Sequence, residues 1–445
     1  MQALRSYGPA VACVAAMVAL SVVAHMQPVL ALFKEGPIAL LLGLSVLALV
    51  AYGLSRYAPT LLHPFVWALL FGMALQSPLN ILTQDTQTFT ISIELLAAFI
   101  LFAAGLAVPV KNFQKYFAPI AALSFVGTAL TVILFAYALG SLTSFFAIPI
   151  PALSLIVLAA ILASIDPTAI QVSVEHIRFV RPFLRDIALS EGALNDVVGV
   201  VLSRFFIVAS ISAGGAYTAL TITSGFGQFT TRAMLEPLAL EIIWGWLVGL
   251  LGYFILKTWG ESIRALHWSD LALFSIVPLF CFALGSFIGG AGYLAAFIAG
   301  LMFDVKTEVH AVRDFFDSIV NRIFKPMIFV LLGAVVPLTT MYYLLPLGVA
   351  AALVFMLVIR PIVVYISLMP WMRAQGGLIS WREALFLSFV RETGAVSAVL
   401  LLIVVALGLA ASEVVLVVGV WVILLTLVIE PPLMPLVAER LGVSQ

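Results

Sequence analysis

Two stretches decide the reading: Ala163-Ser164-Ile165-Asp166-Pro167-Thr168 and, after a short basic connection, Ser190-Glu191-Gly192-Ala193-Leu194-Asn195-Asp196-Val197-Val198-Gly199. They place three carboxylates and a proline inside otherwise apolar segments. Proline removes a backbone donor and clashes with the preceding turn, so a helix over 151–173 is expected to break at Ile165-Asp166. A broken helix frees carbonyls and exposes the partial charges of half-helix ends, which suits a cation site. In the second stretch Glu191 and Asn195 share one helical face, with Asp196 about 100° away from Asn195.

Working outward, the 445-residue chain is 64% hydrophobic and 9% charged, whereas soluble domains carry about a quarter charged residues. Its 21 basic residues equal its 21 acidic ones, leaving no electrostatic footprint for nucleic acid. Cys13 and Cys281 both lie in apolar runs, which excludes a disulfide framework. The five histidines lack metal-ligand spacing. The composition is that of a polytopic membrane protein.

Runs of about 20 apolar residues are expected near 8–33, 37–57, 62–82, 90–110, 117–140, 151–173 and 187–212. Further runs lie near 236–258, 268–288, 289–303, 325–344, 347–369, 384–409 and 412–437. Alternate connections hold sixteen Lys and Arg, Lys111, Arg178, Lys325 and Arg382 among them, against Lys34 and Arg232 on the opposite side. Positive charge favours the cytoplasm, so both termini are expected there. Residues 304–325 read as an amphipathic surface connector, with Val309, Val312, Phe316, Ile319 and Ile323 spaced by three or four. The first run, longer than a signal-peptide core, is expected to be retained as a helix.

Ionisable groups inside spans are costly and mark ion paths or structural pairs. Asp166, Glu191, Asp196, Arg360, Arg391 and Glu392 form this set. Asp196 lies about 14 Å along its helix, near mid-membrane. Desolvation would make an unpaired carboxylate there take up a proton, which suits a site exchanging a proton for a metal ion. Glu191 is expected to pair with Arg360, because a buried arginine cannot shed its charge. In Val390-Arg391-Glu392-Thr393-Gly394-Ala395-Val396-Ser397 the small and helix-weak residues suggest a second interrupted span. Two such segments in corresponding halves point to an inverted-repeat transporter. Arg391 and Glu392 read either as support for the crossing or as a local pair reaching the cytoplasmic interface. Glu94 and Glu430, near span ends, are expected to reach the interface.

The Asp166-Pro167 break followed by Glu191 and Asn195-Asp196 resembles the monovalent cation/proton antiporter superfamily, in its electroneutral branch of NhaP- and NHE-type sodium/proton exchangers. Phe102–Leu106 (F-A-A-G-L), Gly289–Leu301 (G-G-A-G-Y-L-A-A-F-I-A-G-L), Arg360-Pro361 and Arg391–Ser397 are similar to further elements of that family, over about residues 37–437. The resemblance implies an all-α fold of about 14 transmembrane helices with inverted repeats and two crossed discontinuous helices. Its implied layout is an extra N-terminal helix in 1–36 and an antiporter domain in 37–445. The latter divides into a first repeat (37–212), a linker helix (236–258) and a second repeat (268–437).

The implied cation and proton ligands are Asp196, Asn195 and Asp166, with only a backbone carbonyl at Ile165, where relatives often carry threonine. Asp166 would also compensate half-helix dipoles, and Glu191 would pair with Arg360. Arg391, Glu392, Thr393 and Ser397 would support the helix crossing. Gly192 stands where relatives commonly have serine, and Ala103-Ala104 where several have an acidic residue. The implied partners are lipid, a monovalent cation, the proton and a second copy in a homodimer; no cofactor is called for.

The expected activity is exchange of sodium for a proton in a bacterial inner membrane, with potassium as the alternative cation. A sodium-coupled organic-anion carrier is a further alternative of the same fold. A channel would need a continuous polar path, and these polar residues cluster at one depth. An intramembrane aspartic protease would need Asp166 and Asp196 to share a proton, leaving Arg360 and Asn195 without a role.

Overall fold

The computed structural model describes residues 10–18 in part, 37–57, 62–76, 79, 86–108, 110–174, 177–212, 221–229, 232–260, 268–303, 310–373 and 378–444. The expected helix over 8–33 and most of the loop after 212 lie largely outside these residues. The described residues are almost entirely helical.

The first half runs α1 (Pro37–Tyr57), α2 (Pro64–Ala74), α3 (Thr86–Ala107) and α4 (Phe117–Phe145). A broken helix follows, α5 (Ala152–Leu162) and α6 (Pro167–Val174), then the long α7 (Phe183–Ser212). Helix α8 (Arg232–Gly260) leads to α9 (Trp268–Phe287), α10 (Gly292–Met302), α11 (Asp314–Val335) and α12 (Leu345–Met372). The second broken helix is α13 (Trp381–Phe389) and α14 (Ala395–Ala406), followed by the long α15 (Ser412–Leu441). The order of elements on either side of α8 is therefore the same.

The two halves interlock reciprocally: α2 packs on α11, and α3 packs on α10. Small residues let membrane helices approach closely, and here each contact is built from a facing glycine pair. A Cβ on Gly72 would meet Val330 O at 1.9 Å, and one on Gly333 would meet Leu69 O at 2.0 Å. At the other contact, a Cβ on Gly105 would meet Phe297 O at 2.4 Å and one on Gly300 would meet Phe102 O at 2.3 Å. The F-A-A-G-L and G-L elements of the sequence are the two sides of one helix crossing. Helices α1–α3 and α8–α11 pack mainly on each other as a scaffold group, while α4–α7 and α12–α15 form a core group around the two breaks.

Two expectations are corrected. Residues 304–325 were expected to form a surface connector and 325–344 a span; instead one apolar helix spans Asp314–Val335. The physical reason is a widened π-type turn at Val320–Phe324. It inserts one residue into the helical repeat, so residues beyond it face about 100° away from where a regular pattern puts them. Lys325, assigned from sequence to a connection, follows that turn and is buried. A similar turn at Phe355–Ile359 immediately precedes Arg360. Glu430 does not reach the interface: it is buried in α15, immediately before Pro431-Pro432.

Candidate functional site

The α5–α6 break spans Ala163 to Asp166 and the α13–α14 break Val390 to Gly394. They cross in contact: the Asp166 N–H donates to Glu392 O at 2.9 Å. Crossing this tightly requires Gly394, because a Cβ there would fall 2.2 Å from both Cβ and Oδ2 of Asp166. Ser164 Oγ lies 3.0 Å from Ser397 Oγ, which also donates to Ile161 O at 2.7 Å. Thr393 Oγ1 meets Thr426 Oγ1 of α15 at 2.6 Å.

Four half-helix ends meet here, each leaving unsatisfied backbone groups with partial charge. Asp166 serves both positive ends. Its Oδ1 accepts from Thr168 N (2.9 Å), Thr168 Oγ1 (2.6 Å) and Ala169 N (3.4 Å), and its Oδ2 from Ala395 N (3.3 Å). Arg391 serves a negative end: its Nη2 donates to Ala163 O at 2.7 Å and Leu162 O at 3.2 Å, and its guanidinium lies over the Phe355 ring. Arg360 Nη2 approaches Leu387 O, at the end of α13, at 3.5 Å.

Arg391 and Glu392 are not a snorkelling pair. Both are buried and they point apart, Glu392 accepting a short hydrogen bond from Ser173 Oγ on α6. Arg360 Nη2 donates to Glu191 Oε1 at 2.6 Å, with both side chains buried. Ile165 is buried in the apolar cluster that also holds Ile170, Leu387 and Val390, and it offers the site no polar atom beyond its backbone. Gly192 lets α7 close on the break, since a Cβ there would lie 3.1 Å from Pro167 Cα.

Arg360, Arg391 and Glu392 each keep a buried side-chain atom without a partner among the described residues, but each also makes at least one hydrogen bond, whereas neither amide atom of Asn195 has one. Asp196 Oδ1 and both amide atoms of Asn195 are buried without a hydrogen-bond partner among the described residues. Such groups are rare and signal a bound water, an ion or a functional role. Asp196 also lines a cavity, with Pro167, Thr168, Gln171, Asp317, Asn321 and Lys325 among its walls. Its roughly 40 Å³ open to water centres is enough for about three waters. The cavity runs from exposed Gln171 to buried Asp196, and Gln171 lies toward the end of α6 that leads into the basic connection holding Arg178 and Arg181.

Sequence reasoning missed Lys325. Its Nζ donates to Asp166 Oδ1 at 2.7 Å and to Thr168 Oγ1, and its side chain is 2% exposed. The available signal was a lysine joined to Pro326 within an apolar run, which reads equally well as the start of a span.

A polytopic helical bundle with two crossed broken helices, and an unsatisfied Asn-Asp pair beside the crossing, defines an ion-translocating membrane carrier. Residues 44–439 match the sodium/hydrogen exchanger transmembrane family, and the chain belongs to it. Members of that family are antiporters rather than enzymes, embedded in a membrane and needing no cofactor beyond the ions they move. The fold is shared with the sodium proton antiporter MjNhaP1 from Methanocaldococcus jannaschii solved at pH 8 (TM-score 0.74, 18% identity, 91% of this chain and 99% of that one). An electron-microscopy structure of MjNhaP1 gives a TM-score of 0.67 at 19% identity, over 91% of this chain and 98% of that one.

Proposed function

We propose that the protein exchanges Na⁺ for H⁺, one for one and without net charge movement, with Asp196 as the group both ions share. The observation that carries this reading is the unpartnered Oδ1 of Asp196 beside an unpartnered Asn195, at the inner end of a water-sized cavity. Asn195 orients the ion through its amide oxygen and cannot titrate. Glu191 is neutralised by Arg360, and Asp166 by Lys325. Of the three carboxylates at the first break and on α7, that leaves Asp196 free to change partner. With a proton or with a monovalent cation it is equally neutral, so the loaded and protonated carriers bear the same charge.

Access alternates when the core group around the breaks moves against the scaffold group. The uncharged, glycine-matched contacts of the scaffold support its role as the stationary part. The cavity in this conformation opens on the side rich in Lys and Arg, which the charge asymmetry assigns to the cytoplasm. In this reading the molecule works as a homodimer in a bacterial inner membrane. Trp244, Trp246 and Leu247 of α8 stand exposed for lipid or a second copy.

The test is dissipation of an imposed pH gradient in proteoliposomes on adding sodium, potassium or lithium. Wild-type protein is expected to respond to sodium and Asp196→Asn to none of the three. The amide is isosteric and buries no charge, so this variant is expected to fold. Normal sodium-driven proton flux in folded Asp196→Asn protein would overturn the assignment.

A further inference from the structure

A further cation stands inside a span, away from the crossing. Arg204 lies on α7 about 12 Å beyond Asp196 along the helix axis. The cavity is lined by Leu189, Ala193 and Asp196 of α7, so Arg204 stands on the opposite, outer side of Asp196. Asp196, Val200 and Arg204 follow one another at intervals of four along one side of the helix. A guanidinium at membrane depth is costly unless it is compensated, and α7 carries no acidic residue after Asp196.

The groups that face Arg204 belong to the scaffold, whose helices α3, α8 and α10 all touch α7. Its guanidinium lies over the ring of Tyr293 on α10, 5.3 Å from the centroid. Glu94 of α3 and Glu241 of α8 both lie within its field. The scaffold side of this contact is held firmly: Ala291 N donates to Glu241 O at 2.8 Å, and a Cβ on Gly245 would meet Ala291 O at 2.7 Å. Tyr293 is buried, so its ring fills the space beside α7. Arg204 Nη1 and Tyr293 Oη are both buried without a hydrogen-bond partner among the described residues. The contact therefore rests on charge and ring face, and these two atoms do not pin it. Opening a path outward from Asp196 between core and scaffold has to part α7 from α3 and α10 at this point.

We propose that Arg204 is the outer latch of the carrier: docked on Tyr293 beside Glu94 and Glu241, it closes the route from Asp196 to the outer side while the cavity is open inward, and it withdraws with α7 when the outer side opens. The two carboxylates left behind then face the outer entrance without their cation and attract one from that side. Arg204 is a positioning residue, which touches no transported ion and sets which side Asp196 faces. The inference goes beyond the assignment of Asp196 and requires only that the core and scaffold groups move against each other.

The test is the reactivity of Val200→Cys, buried between Asp196 and Arg204, toward a membrane-impermeant maleimide added outside right-side-out vesicles. Cys13→Ser with Cys281→Ala supplies the background, chosen for retained sodium-driven flux. Labelling is expected to be about tenfold faster in Arg204→Gln, which loses both the charge attraction and the cation–π contact. In Arg204→Lys, which keeps the charge over the ring, it is expected to stay within about threefold of the arginine protein. An arginine with only a structural role would cost thermal stability on substitution and leave outside labelling of the folded protein unchanged, and that result overturns the proposal.

Should Arg204→Gln not fold, Glu94→Gln combined with Glu241→Gln removes the opposing charges and keeps the arginine. Faster outside labelling is expected there too, and an unchanged rate overturns the proposal. Asp196→Asn separates the two readings, because the labelling does not require transport. If Asp196→Asn is inactive while Arg204→Gln leaves the labelling rate unchanged, only the latch fails. If Asp196→Asn transports normally while Arg204→Gln opens the outer side, the carrier assignment fails and the latch stands.

Discussion

The two helix breaks have similar backbones and opposite charges. The first, Ala163–Asp166, contributes an anion that accepts hydrogen bonds from the start of its own second half-helix and from the start of the other one, at Ala395. The second, Val390–Gly394, contributes a cation, Arg391, whose donors go to the end of α5 at Leu162 and Ala163. Each break thus caps the other. The difference lies in what remains. Arg391 and Glu392 of the second break make their hydrogen bonds inside the core group, whereas the first meets Lys325 of the scaffold and is followed by Pro167 and Thr168, which line the cavity. Repetition of the helical architecture supplies the crossing, and divergence of the side chains gives its two sides opposite charges.

The comparison breaks most severely at Arg391. Arg391→Gln removes the charged cap from two carbonyls in a buried site, where charged hydrogen bonds are worth about 1.5–3 kcal/mol each. The expected result is little folded protein by size-exclusion chromatography in detergent. The Glu191–Arg360 pair comes next. Glu191→Ala and Arg360→Ala should each cost about 3–5 kcal/mol, because each strands a buried charge. The double variant should cost clearly less than their sum, and strict additivity in a thermal-unfolding cycle would show that the pair is not coupled.

Gly394→Ala and Gly192→Ala sharpen the comparison, since both add one methyl group beside the first break. The former collides with the Asp166 side chain, and the latter presses on Pro167 at 3.1 Å, where a shift of a few tenths of an ångström relieves it. Overpacking costs about 1–3 kcal/mol; the upper end, with most of the transport rate, is expected for Gly394→Ala, and the lower end for Gly192→Ala. Smallest is Ser164→Ala, which removes one hydroxyl from the Ser164–Ser397 contact. About 1 kcal/mol of stability is expected to go with it, and because the same hydroxyl bonds the Asp196 carboxylate, sodium-driven flux is expected to persist at a reduced rate.

Much of this was legible before the structure. Pro167 after Asp166 gave the first break, and Gly394 among helix-weak neighbours gave the second, because backbone constraints are local and are written in residue type. The interlocked scaffold was visible only as glycines without partners. Gly72 and Gly333, or Gly105 and Gly300, acquire meaning only once paired across the two halves of the chain. Lys325 was hidden for a different reason. The widened turn at Val320–Phe324 changes which face the lysine presents, and hydrophobic periodicity assumes that no residue has been inserted. The directions of Arg391 and Glu392 were likewise beyond sequence, since adjacent residues on an unwound segment have no fixed angle between them.

The central claim is that one carboxylate, Asp196, carries either a proton or a cation while Asp166 stays neutralised by Lys325. It also implies competition, so raising the pH should lower the apparent KM for sodium until Asp196 is fully ionised. The most direct measurement is sodium-driven proton flux in proteoliposomes under an imposed membrane potential, alongside current on a solid-supported membrane. The account predicts a flux indifferent to voltage and no steady current. Acceleration by voltage, with a current that reverses with the sodium gradient, would contradict it and would require a second titrating group at the crossing.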